Sequence, residues 1–97
     1  MPNTDPSDPQ LSPADLRLLG HLHEKWPTST TVTPFTVLLS PNDEGRAAFV
    51  SMMQTLTDNG LISYEAFLMQ PSVGLRFIGT TITARGKAAL RSATVHA

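Results

Sequence analysis

Cysteine is absent from the 97 residues, which excludes disulfide frameworks, cysteine-ligated zinc and thiol nucleophiles and fits a reducing compartment. Long apolar runs are absent too. Nothing approaches the roughly 20 residues that span a bilayer, and the start, MPNTDPSDPQ, has neither a basic nor an apolar leader region, so a cytoplasmic location without membrane contact is the expectation. The glycines stand singly at 20, 45, 60, 74, 79 and 86, with no loop that would cradle a phosphate. His21 and His23 lie about 200° apart on a helix and do not share a metal ion. No Ser/His/Asp set is legible, because each serine and threonine has a capping or turn role. These gaps predict a chain that is not an enzyme and needs no metal or cofactor.

What is present suits one small domain. A content of 40% hydrophobic and 15% charged residues closes a single core at this length. The net charge of −1 hides an asymmetry. Up to Glu44 the chain carries Asp5, Asp8, Asp15, Glu24, Asp43 and Glu44 against Arg17 and Lys25, whereas Arg76, Arg85, Lys87 and Arg91 make the stretch after Glu65 basic. Four spread charges are not a patch, although that end favours an anion.

Residues 1–10 hold three prolines, two aspartates and no large apolar residue beyond Met1, and read as a disordered tail. Order is expected from residue 11 to residue 97. In LSPADLRLLGHLHEKW, Ser12 is an N-cap, Pro13 occupies the first helical position, and Asp15 completes a capping box. Leu18, Leu19, Leu22 and Trp26 then follow one helical face until Pro27. Val32 forms a minimal strand. Thr33-Pro34 repeats the cap-plus-proline signal before a short second helix through Phe35, Val37, Leu38 and Leu39, with a strand as the alternative because of the β-branched residues. Ser40-Pro41 repeats it again before a third helix over about 42–59, with Phe49, Met52, Met53 and Leu56 inward.

The stretch TLTDNGLI closes that helix. Gly60 is a left-handed cap and Leu61 folds back towards Leu56. LISYEAFLM, a turn at residues 71–74, and LRFIGTTIT then read as an antiparallel hairpin in which Gly79 marks a bulge or close approach. Thr83 caps a last helix, and Gly86 predicts tight packing there.

In their order, VTPFTVLLSP, FVSMMQTLTDNGLI and ITARGKAAL resemble the winged helix-turn-helix domain over residues 11–93. The resemblance implies an α+β fold: a three-helix bundle, a two-stranded antiparallel wing and a C-terminal helix. It also implies a binding module, in the first place a DNA-binding or transcription-regulatory one, with a protein-interaction or assembly module that does not bind DNA directly as the alternative. As a small bacterial or phage DNA-binding regulator, the chain would set Arg46, Ser51 and Gln54 of the third helix against the major groove or phosphates of double-stranded DNA, and Arg76, Arg85 and Lys87 against the backbone. The outward face of that helix, Asp43, Ala47, Ser51, Gln54 and Asp58, carries no base, which departs from the DNA-reading pattern. As a protein-interaction or assembly module it would use the hairpin edge, where Tyr64, Phe67 and Met69 invite strand addition or homodimerisation.

Overall fold

The computed structural model describes residues 11–40, 42–70 and 74–95. The predicted tail, and residues 71–73 of the predicted turn, lie outside the described residues. Three α-helices and an antiparallel sheet make an α+β fold. In chain order these are α1 (Pro13–Lys25), β1 (Thr30–Val32), a 3-10 turn (Pro34–Val37), α2 (Asp43–Asp58), β2 (Ile62–Ser63), β3 (Ala66–Gln70), β4 (Gly74–Ile82) and α3 (Ala84–Val95). No helix among the described residues is long and apolar enough to cross a membrane.

Local chemistry accounts for the helix ends. Ser12 Oγ accepts from Asp15 N–H at 3.1 Å while Asp15 Oδ2 accepts from Ser12 N–H at 2.9 Å, so two otherwise orphaned donors are satisfied reciprocally. At the other end Trp26 is not on the buried face the periodicity predicts. It is the C-cap residue, half exposed, because Pro27 ends the helix before another turn can carry it inward. The second helix is a single 3-10 turn. β-branched Thr36 and Val37 disfavour extending it, and Leu38 turns left-handed at φ 61°. Phe35 and Leu38 are 66% and 72% exposed; only Pro34 and Val37 of the turn are buried.

The third cap also shifts. Asn42, not Ser40, caps α2, its Oδ1 accepting from Gly45 N–H at 2.8 Å. Ser40 instead lays its carbonyl against Gly45, where a Cβ would lie only 1.8 Å from that oxygen. The close of α2 follows the sequence reading. Leu61 N–H donates to Leu56 O and Gly60 N–H to Thr57 O, both at 2.9 Å, with Gly60 at φ 75°. That pair of bonds is the Schellman arrangement.

The predicted first wing strand is interrupted. Ile62 and Ser63 pair with Ile82 and Thr81, and Ala66 to Gln70 pair with Ile78 to Gly74, in one register, but Tyr64 and Glu65 between them belong to neither strand, although Glu65 N–H still donates to Ile78 O at 2.9 Å. The cause lies in β4. Against β1, Thr30 faces Thr80 while Val32 faces Phe77, so β4 carries one extra residue. Gly79 absorbs it at φ 69°, with the Glu65 side chain where its Cβ would stand. Buried positions accordingly run Leu75 and Phe77, then Thr80 and Ile82, because a bulge flips the side-chain parity. Buried Thr80 satisfies its hydroxyl by donating to Phe77 O at 3.2 Å.

β4 is thus central, with β1 on one side and the collinear β2 and β3 on the other. One face of the sheet meets Leu18, Leu19 and Leu22 of α1 and Phe49, Met53 and Leu56 of α2 in a single core. Met52, expected inward, sits at its margin. In α3 the contact positions are Gly86, Ala89 and Leu90; Ala84 and Ala88 are exposed.

Thr83 ties the start of α3 to the end of α2. Its Oγ1 donates to Gly60 O at 2.6 Å and accepts from Gly86 N–H at 3.0 Å, and its N–H donates to Leu61 O. Thr83→Val keeps the shape and removes both hydroxyl bonds. The expected loss is about 1–2 kcal/mol of unfolding free energy, measured by urea titration against wild type; a change below a few tenths would show the cap to be idle.

Candidate functional site

An open groove of about 500 Å³ runs between α2 and the hairpin, lined by Arg46, Ala47, Val50, Ser51, Gln54, Phe67, Met69 and Leu75. The α2 residues follow helical spacing and form one wall. Strand pairing supplies the other. Phe67 stands opposite Phe77 and Met69 opposite Leu75, and residues directly opposite in an antiparallel ladder share a face. Phe77 and Leu75 are buried, so Phe67 and Met69 also project to the core side of the sheet. The groove, rather than a helix, lies over them. They remain 43% and 63% exposed.

A smaller cavity of about 150 Å³ shares Val50, Gln54 and Phe67 with the groove and adds Tyr64 and Phe77. Its floor is aromatic. The Phe77 ring lies 4.7 Å from Tyr64, 4.9 Å from Phe67 and 5.5 Å from Phe49, centre to centre, near edge-on to Tyr64 and Phe49 as ring quadrupoles favour. Phe77 therefore holds Phe67 and Tyr64 from beneath.

Two sets of residues that the sequence offers as alternatives meet here. Arg46, Ser51 and Gln54 share the groove with Phe67 and Met69, and Tyr64 joins through the adjoining cavity. The remaining bases do not come along. Arg76 faces Leu68 across the ladder, one position from buried Phe77, so it projects to the opposite face of the sheet. Its Nε is enclosed with no hydrogen-bond partner among the described residues. Arg85 lays its Cδ beside Gly60, and Lys87 Nζ sits over the Trp26 ring, a cation–π contact.

Charge in the groove is nearly cancelled. Arg46 pairs with Asp43 one turn earlier, where the carboxylate also suits the helix start. At this exposure such a pair contributes no more than about 1 kcal/mol, but it offsets the one cation of the lining. No family, curated protein or solved structure matches this chain. The groove must be read from its own chemistry.

That chemistry is an apolar strip with a polar border. Val50, Phe67, Met69 and Leu75 offer contact area, while Ser51 and Gln54 offer a hydroxyl and an amide able both to donate and to accept. Sequence patterning does not mark Val50 or Leu75 as site residues. Leu75 is legible afterwards as the cross-strand neighbour of Met69, but Val50 falls between the inward and outward arcs of α2 and carries no signal of its own. Among the described residues no group of three or more histidine, cysteine or carboxylate side chains is placed to hold a metal ion.

Proposed function

We propose that this chain is a binding module with a winged-helix-like layout, and that its working surface takes a protein segment into the groove between α2 and the β3–β4 hairpin. The carrying observation is the exposure of Phe67 and Met69 on the core side of the sheet, facing an uncovered groove. Large apolar side chains at alternate strand positions beside an open groove suit an extended segment that adds main-chain bonds to the sheet and seats every second side chain. The order of helices and hairpin supports the winged-helix comparison. Electrostatics weigh against a duplex, because Arg76, Arg85 and Lys87 do not line the groove and phosphate neutralisation supplies most of the affinity in nucleic-acid complexes.

The second reading, double-stranded DNA, is favoured by the exposed polar edge of α2, where Ser51 and Gln54 stand beside Arg46. A paired experiment separates the two. Random peptides displayed on phage are selected against the protein, and a labelled mixed-sequence duplex is titrated by anisotropy from low to physiological salt. The protein-docking reading expects peptides with apolar residues at alternate positions, their binding lost in the exposed groove-wall variant Ala47→Asp, and no duplex binding tighter than about 10 μM. Duplex binding with a steep salt slope, weakened by Arg85→Ala with Lys87→Ala, and no enriched peptide, would overturn it in favour of DNA.

A further inference from the structure

The outer edge of β3 identifies an occupant. Among the described residues β3 pairs only with β4, so its other edge presents unpaired backbone groups. Exposed edges are ordinarily protected by charge, proline or a bulge. Ala66-Phe67-Leu68-Met69-Gln70 has none of these along its 5 residues.

Resting on the protein-docking reading, we infer that the segment taken by this edge is β3 of a second copy of the same chain, in an antiparallel dyad centred on Leu68. In that register Leu68 faces the partner's Leu68, Phe67 faces the partner's Met69, and Met69 faces the partner's Phe67. The exposed pair thus covers itself, aromatic ring against thioether, a favourable contact. Glu65, the nearest charge, falls at opposite ends of the two strands and meets no like charge. A dyad perpendicular to the sheet keeps both core faces on one side. The sheets then join in the order β1-β4-β3 followed by the partner's β3-β4-β1, and the two grooves merge into one trough walled by both copies of α2. Each groove lacks its outer floor until the partner supplies it.

The interface is small. One short strand pair with two large side chains from each copy lies at the low end of specific interfaces, below about 1,200 Å² in total, so a reversible dimer with Kd on the order of 10–100 μM is expected.

The protein has no cysteine, which makes a site-specific test clean. Directly opposite residues in an antiparallel pair bring Cβ atoms to about 4.5–5.5 Å, so Leu68→Cys at the dyad is expected to cross-link to a covalent dimer under mild oxidation, while Arg85→Cys on α3 stays largely monomeric. Sedimentation equilibrium of the full chain from 5 to about 500 μM is expected to show a monomer–dimer equilibrium, weakened at least tenfold by Met69→Lys, which alters an exposed side chain and leaves the melting curve in place. A monomer across that range, or a dimer indifferent to Met69→Lys and cross-linked faster through Arg85→Cys, overturns the inference. Displayed peptides that still enrich on a strictly monomeric protein would leave the docking reading standing with another partner; their failure as well would remove both.

Discussion

Gly86→Ala is expected to destabilise the domain by about 3 kcal/mol or more, the upper range for forcing atoms into a packed site. A Cβ at Gly86 would lie 2.1 Å from Leu61 O and 2.7 Å from Ile82 Cγ1, so backbone has to move. Gly45 has a still closer obstacle, Ser40 O at 1.8 Å, yet its replacement should cost less. Ser40 is held by its own loop, whereas Leu61 is fixed from both sides: its N–H closes α2 on Leu56 O, and its carbonyl accepts from Thr83 N–H. Moving Leu61 away from α3 breaks the end of α2, the start of α3 and the first residue of the β2 region together. Gly20→Ala is the control. Nothing lies within 4 Å of its Cβ position, so relief of glycine's helix penalty should stabilise by about 0.5–1 kcal/mol. Urea midpoints with a constant slope would establish both; a Gly86→Ala cost no larger than that of Gly45→Ala would show the junction to be softer than its bonding implies.

The same junction shows which parts of the fold were legible. TLTDNGLI and ITARGKAAL announce a Schellman close and a threonine cap, because both depend on residues within one helical turn. Ser12 with Asp15 is legible for the same reason. Two overlapping local signals defeat the reading at α2, where Ser40 and Asn42 are both cap residues and tertiary contact decides: the Ser40 carbonyl is needed against Gly45, leaving Asn42 to cap. The interruption at Tyr64 and Glu65 is not local at all. It answers the extra residue in β4 opposite β1, a pairing between segments nearly fifty positions apart, and only Gly79 hints at it. For the site, strand alternation puts Phe67 and Met69 on one face but says nothing of what covers that face. Whether they are core or surface depends on how α2 lies across the sheet, and that is a property of the packed molecule. Arg76 is two residues from the strand start, and a single step in parity carries it to the far side of the sheet, away from the groove.

Phe77→Ala is the other variant for which a large effect is expected, about 3–5 kcal/mol, and it separates fold from site. Phe77 is 2% exposed and its ring touches Phe49, Tyr64 and Phe67, so truncation leaves a cavity bordered by three rings and forfeits two edge-on contacts and one tilted one, each worth about 0.5–1.5 kcal/mol beyond buried area. Against a total stability of about 5–15 kcal/mol for a domain of this kind, much of the margin goes. Phe67→Ala removes a ring of the same size from the other side of the same contact, yet about 1 kcal/mol is expected, because much of that ring is already in water and its loss opens the groove instead of a void. The two differ again in binding. Phe67→Ala should weaken both self-association and captured peptides in a protein that melts nearly as wild type, whereas Phe77→Ala should weaken them only through loss of the folded fraction, unless the truncated floor lets Phe67 and Tyr64 sink inward. Equal destabilisation by the two variants would mean that Phe67 is core and that the groove is shallower than its lining suggests. Unequal destabilisation, with binding lost in Phe67→Ala alone at temperatures where both are folded, would place the working surface on the exposed rim of the aromatic cluster, with Phe77 acting only as its support.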